Sequence, residues 1–161
     1  MANLSDHLFR QERERADKQA LHFQDRSWTY GEIARRTRLI AGGLSRMGVE
    51  VGSRVGLMMP SRPKFIFTQQ AIFALGAIVS PLNIFYRSGE IVHAISSCDL
   101  EFLVIDESYL DRLPPRGAPG TQSLRRVFVA FVNFCYSLSV SSPFPQFSPV
   151  FAVVCGRRPR D

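Results

Sequence analysis

The chain has 161 residues, with 20 Lys plus Arg against 14 Asp plus Glu for a net charge of +6, and 45% hydrophobic residues, which suits one domain with its own core. The charge excess is modest and dispersed, so composition argues against a nucleic-acid partner. The three cysteines, Cys98, Cys135 and Cys155, lack paired short spacing and indicate neither a disulfide framework nor a zinc site, which fits a reducing, cytoplasmic setting.

Asp6, Arg10 and Glu12 interrupt the apolar stretch that a secretory leader needs, so none is read at the N-terminus. Asn3 or Ser5 can cap a first helix. Leu4 and Leu8 followed by the alternating charges of Arg10, Glu12, Arg13, Glu14, Arg15, Asp17 and Lys18 make that helix short, one-sided and largely solvated. Residues 20–23 and 27–30 are β-prone runs around Gln24, Asp25 and Arg26, a hairpin pattern. Thr29 and Glu32 have capping-box spacing. Ile33, Thr37, Ile40, Leu44 and Met47 then share one helical face, with Arg35, Arg36 and Arg38 turned largely away and Gly48 at the stop.

Residues 54–59 form a short apolar run ended by Pro60, as expected of a strand covered on both faces. Pro63 suits a first helical turn, and Phe65, Ile66, Ile72, Phe73 and Leu75 give the helix after it a buried character up to Gly76. Residues 77–82 read as a second strand. Ser88 caps a further helix with Ile91, Ile95 and Cys98 inward, and residues 101–106 are a third buried run. This order predicts an α/β fold, a partial parallel sheet with right-handed crossover helices. Residues 113–121, rich in Pro and Gly, read as a loop, and residues 124–131 as the start of a fourth strand.

Five segments taken together resemble a known family. They are Trp28-Thr29-Tyr30-Gly31-Glu32-Ile33; residues 44–48; Gly52-Ser53-Arg54-Val55-Gly56-Leu57-Met58-Met59-Pro60; Ala74-Leu75-Gly76-Ala77-Ile78-Val79-Ser80-Pro81-Leu82-Asn83; and Gly89-Glu90-Ile91. In order and spacing they are similar to the N-terminal part of adenylate-forming (AMP-binding) enzymes, the acyl-CoA synthetase branch in particular, over about residues 4–130. Ser53, Ser61 and Ile84 stand where that family commonly has Asp, Asn and Pro. Fatty-acyl, aryl, acetyl and malonyl enzymes share this region, so the resemblance leaves the acid open, fatty acid metabolism being one setting among these.

The resemblance implies a two-step ligase: ATP and Mg²⁺ convert a carboxylic acid to its adenylate, and the acyl group then passes to coenzyme A. In the intact family a Ser/Thr/Gly-rich loop ending in Lys holds the triphosphate, a later Asp holds the ribose, and a Lys of a mobile C-terminal domain assists adenylation. None of these stands in the 161 residues. The glycine-containing loop Gly117-Ala118-Pro119-Gly120-Thr121 lacks the terminal Lys, and proline removes a backbone donor. The expectation is therefore no catalytic, cofactor-binding or metal-binding residue in this chain, and no ATP, Mg²⁺ or coenzyme A site of its own.

Other candidates are weaker. His7, His22 and His93 fall on separate predicted elements and do not converge as metal ligands. Among Asp6, Asp25, Asp99 and Asp106, two sit at turns where aspartate serves the backbone. Arg87 adjoins a stretch that in some relatives approaches the coenzyme A nucleotide, but it occupies no defined motif position.

From Val127 to Gly156 no Asp, Glu, Lys or Arg occurs. As a helix, residues 127–140 would span about 21 Å, short of the roughly 30 Å apolar core of a bilayer, and Pro143, Pro145 and Pro149 bar its extension. Membrane spanning is not expected. The run is an aggregation liability, with self-association as its consequence. The expected organisation is a truncated ligase subdomain over residues 1–130 and a divergent apolar tail over 131–161 that is no domain. Functionally this reads as a fragment inactive alone; the alternatives are an interaction module using the tail, or one half of a split ligase completed by a second chain.

Overall fold

The computed structural model describes residues 3–130 and the backbone of residues 151–153. Helix α1 (Leu4–Arg15) is capped by Asn3, whose side chain accepts from Ser5 N at 3.1 Å while the Asp6 carboxylate accepts from Asn3 N at 2.7 Å. At 12 residues α1 is longer than the short helix expected, because its charged half is held from outside. Arg38 donates to both carboxylate oxygens of Glu12, at 2.7 and 2.5 Å, and stacks over Phe9. That hydrogen bonding holds the Glu12 carboxyl below its ordinary range.

Strands β1 (Gln19–Phe23) and β2 (Arg26–Thr29) form the antiparallel hairpin, with Arg26 inside β2 rather than in the turn. Helix α2 (Tyr30–Arg46) begins at the expected capping box: Glu32 N donates to Thr29 Oγ1 at 3.2 Å, and Thr29 N donates to Glu32 Oε2 at 3.0 Å. Its buried face includes Ile33, Ala34, Thr37, Ala41 and Leu44, and the chain leaves it at Gly48, where φ is +95°.

The main sheet is parallel and ordered β4-β3-β5-β6-β7, from β3 (Arg54–Met58), β4 (Ile78–Pro81), β5 (Phe102–Asp106), β6 (Arg126–Ala130) and β7 (Phe151–Val153). Alternation along the strands feeds two cores. Val55, Leu57, Phe102, Val104 and Phe128 meet α2 and α3 (Pro63–Ala74) on one side. Met58, Leu103, Ile105 and Val127 meet Ile91 and Ile95 of α4 (Ser88–Ser97) on the other. A third cluster joins Leu8, Trp28, Ile33, Ala34 and Phe67 beneath the hairpin.

Three sequence expectations are corrected. In α3 the fully buried residues are Phe67, Thr68, Ala71 and Ile72, with Phe65, Ile66 and Phe73 only half-buried. The helix packs on two sides, Ile72 toward the sheet and Phe67 toward the hairpin cluster, so its apolar face is not a single stripe. Cys98 is exposed. The helix has already ended there, and the left-handed turn at Asp99, φ +47°, sends Leu100 into the core instead. Ser88 is the first residue of α4, and Arg87 holds the cap position, its N–H donating to Glu90 Oε2 at 2.9 Å.

The sequence reading gives no strand after the fourth, yet β7 pairs along the outer side of β6. Phe151, Ala152 and Val153 are an apolar run that can serve as one. The readings of residues 131–150 and 154–161, as apolar tail, aggregation site or membrane segment, lie outside the described residues. Among the described residues no helix is long and apolar enough to cross a membrane.

Gly56 lies at the centre of β3. A Cβ there would stand 2.8 Å from Leu100 Cδ1 and 3.0 Å from Leu103 Cδ1, both fully buried. The expected result for Gly56→Ala is a loss of about 1–3 kcal/mol, the usual cost of overpacking, measured by urea unfolding; an unchanged midpoint would show that the two leucines yield.

Candidate functional site

Strand order fixes where a cleft can open. From β3 the chain passes through α3 to β4 on one side, then through α4 to β5 on the other side of β3. Connections leaving the carboxyl ends of β3 and β5 therefore diverge, and in open α/β sheets that divergence is where ligand crevices form.

A cleft of about 460 Å³ lies there. Met59 and Pro60 follow β3, Asp106 ends β5, Pro63 and Lys64 open α3, Arg36 projects from α2, and the hairpin contributes Arg26 and Trp28. Arg36 is thus half-buried in the cleft wall, not turned to solvent as its helical position suggested. Trp28 and Phe67 meet edge to face with ring centroids 6.1 Å apart. The Arg26 guanidinium sits 5.0 Å from the centre of the Trp28 ring, and that of Arg36 sits 5.5 Å from the centre of Phe67. Arg26 and Trp28 share one face of β2 because they are two residues apart on a strand.

Asp106 is the one charged residue of the chain's described part that is buried, at 3% exposure. Its Oδ1 accepts from Ser108 N at 3.1 Å, which starts the 3-10 turn Glu107–Arg112. The first turn of α3 carries no acidic residue and no side-chain cap, whereas α1, α2 and α4 each have an acid in theirs.

The aspartates singled out in the sequence separate into backbone roles and one pair. Asp6 caps α1 and Asp99 holds a left-handed turn, while Asp25 and Asp106 line the same cleft. His7, His22 and His93 are all exposed, His7 and His93 near Arg10 and Ser97 of their own helices and His22 near Ser27 of the neighbouring strand β2. No cluster of three or more His, Cys, Asp or Glu side chains suited to a metal occurs among the described residues. Arg87 is exposed on the connection into α4 and does not line the cleft.

Residues 117–121 do not fit a triphosphate. The Thr121 hydroxyl donates to Ala118 O at 2.7 Å, and Gly120 is packed so closely on α4 that a Cβ would stand 2.9 Å from Val92 Cγ1. The loop is folded against its own helix. Trp28 falls in a segment that carries the family resemblance but had no site role there, and the cleft residues Arg26, Arg36, Arg62, Lys64 and Phe67 had no sequence motif to announce them.

Comparison with known proteins agrees with the fold. The family profile described as AMP-binding enzyme matches residues 8–134. A 4-coumarate–CoA ligase of Pinus taeda is 30% identical over 118 residues, 68% of this chain and 22% of the relative. A medium/long-chain-fatty-acid–CoA/3-oxocholest-4-en-26-oate–CoA ligase of Mycobacterium marinum is 28% identical over 113 residues, 70% of this chain and 20% of the relative. Among solved structures, an anthranilate CoA ligase in complex with anthranoyl-AMP superposes with a TM-score of 0.73 at 25% identity, over 80% of this chain and 25% of that one. A long-chain-fatty-acid–CoA ligase from Archaeoglobus fulgidus gives a TM-score of 0.70 at 24% identity, over 80% and 27%. The chain thus spans about a fifth of the length of these sequence relatives.

Phe67, 6% exposed, supports both Trp28 and the Arg36 stack. Phe67→Ala is expected to destabilise the chain by about 3–5 kcal/mol in urea unfolding and to shift Trp28 emission to the red; a change below 1 kcal/mol, on the order of an exposed substitution, would mean the wall does not rest on this ring.

Proposed function

The chain belongs to the AMP-binding enzyme family, and from that premise we propose that it forms the N-terminal part of an acid–CoA ligase scaffold and performs no adenylation on its own. In the named relatives the whole protein joins a carboxylic acid to coenzyme A, and the same overall reaction is the proposed context for this piece. Both an aromatic acid and fatty acids occur among the names of the relatives, so the proposal extends to the carboxylate class and not to one acid.

The observation that carries this reading is chemical. Adenylation must stabilise a triphosphate's concentrated charge, which takes aligned backbone N–H groups, a lysine and a cation. Within the 161 residues the glycine-bearing loop at 117–121 bonds its hydroxyl to itself and packs on α4, and no Ser/Thr/Gly-rich loop ending in Lys occurs in the sequence. What remains is a scaffold: a parallel sheet with its helices, and a hairpin.

A second reading, completion by a separate chain carrying the phosphate loop, draws support from the hairpin. β1 and β2 form a sheet of only two strands among the described residues, and two-stranded sheets gain stability from a further strand or a covering partner. A cytoplasmic setting suits either reading.

The test is carboxylate-dependent exchange of labelled pyrophosphate into ATP by the purified 161-residue chain, with 4-coumarate, anthranilate and a long-chain fatty acid as substrates. No exchange above the no-enzyme control is expected with any of them. Clear exchange with one would contradict the proposal.

A further inference from the structure

We propose that α1 is a strap that opens as a unit about Ala16 while the main sheet stays folded, with the Glu12–Arg38 pair as its latch, and that its closure fixes the rings behind the cleft. This role is independent of the ligase reading. Of its 12 residues α1 buries only Ser5 and Leu8. Asp6, Arg10, Arg13, Glu14 and Arg15 are exposed, so they keep their water whether the helix is docked or free. The helix also brings its own start, a capping box made between Asn3 and Asp6.

Few contacts hold it to the body. At the start the Asn3 side-chain amide donates to Phe73 O in the last turn of α3. Near the other end Arg38 of α2 donates to both carboxylate oxygens of Glu12, at 2.7 and 2.5 Å, and its guanidinium lies 4.8 Å from the centre of the Phe9 ring. Between them Leu8 enters the cluster of Trp28, Ile33, Ala34 and Phe67. One buried leucine and one half-buried phenylalanine are a small apolar contact for a helix of this length. The two-bond fork therefore carries a large share of the docking.

The backbone sets the pivot. Gly31 N–H donates to Ala16 O at 2.9 Å and Tyr30 N–H to Lys18 O at 3.1 Å, which ties the chain from Ala16 onward to the start of α2. The helix itself lies before these bonds. Its Leu8 shares a cluster with Trp28 and Phe67, the two rings that line the cleft and meet edge to face. Withdrawing Leu8 leaves a gap beside them, and rings next to a gap lose the contacts that fix them.

Acid and salt act on the latch. The hydrogen bonds from Arg38, joined by the charges of Arg38 and of Arg13 on α1 itself, hold the Glu12 carboxyl below its ordinary range. The other helix packed along α1 is α3, whose one charged residue, Lys64, lies in the cleft wall. A carboxyl depressed in the closed form adds stability above the ordinary carboxylate range and loses it as pH falls through the depressed value. Acid thus opens the strap, and salt, which screens a partly exposed pair, loosens it.

The test is amide exchange of the full chain at pH 7, read at residues 8–15 of α1 and 102–105 of β5. In Glu12→Gln the α1 amides are expected to exchange about fivefold faster, the upper range for an exposed ion pair, with those of β5 unchanged. Arg38→Gln should act in the same direction, and adding Glu12→Gln to it should change little. Glu14→Gln, on the exposed side of the same helix and in no ion pair among the described residues, should leave both sets as they were. Trp28, the chain's one tryptophan, gives a second readout. On acid titration its emission should move to the red in a step below the ordinary carboxylate range; in Glu12→Gln that step should be absent and the shift present already at pH 7. Equal acceleration of α1 and β5 amides, like behaviour of the Glu12 and Glu14 variants, additive effects of the Glu12 and Arg38 variants, or an unaltered acid step in Glu12→Gln would overturn the assignment.

Discussion

Strand β3 is paired on both sides, with β4 along one edge and β5 along the other, and Val55, Leu57 and Met58 are wholly buried. A strand in that position can leave no polar backbone group unpaired and no side chain exposed without cost. The surrounding elements are arranged around that demand. Glycine at position 56 lets Leu100 and Leu103 close over the strand on the α4 side, where any Cβ would collide with them. On the other side α2 and α3 cover Val55 and Leu57.

The cleft follows from the same pairing. Because β4 lies on one side of β3 and β5 on the other, the chain leaves the two central strands in opposite directions. Pro60 and Pro63 carry the β3 exit sharply into α3, and Asp106 turns the β5 exit into the Glu107–Arg112 turn through its bond to Ser108. The hairpin then roofs the gap, anchored by Trp28 against Phe67 of α3 and by the backbone N–H of Gly31, which donates to Ala16 O at 2.9 Å. Charge collects there from three parts of the fold, Arg26 from the hairpin, Arg36 from α2, and Arg62 and Lys64 from the start of α3.

Much of the scaffold was legible in the sequence, for local reasons. The Thr29 and Glu32 spacing names the start of α2 because a capping box is a contact between near neighbours. The apolar runs of β3 and β5 announce strands buried on both faces. What depended on distant partners was hidden. The sequence reading of α3 names Phe65, Ile66, Ile72, Phe73 and Leu75 and omits Phe67, whose burial depends on the hairpin cluster, and Cys98 kept helical phase in the sequence while the backbone turned away at Asp99. The cleft was illegible for the same reason: its residues run from Phe23 to Asp106 and are joined only by the sheet order. The resemblance to ligases named the reaction class and its segments include Trp28, Met59 and Pro60, yet it assigned none of them a role in this cleft.

Amide hydrogen exchange tests most directly whether β3 and its two partners hold the molecule together. If they do, the amides of residues 55–58 and 102–105 exchange only through global unfolding and are the slowest in the chain, while those of the two-stranded hairpin, β1 and β2, open locally and exchange faster. Hairpin amides as slow as those of β3, or fast exchange throughout β3 and β5, would contradict it.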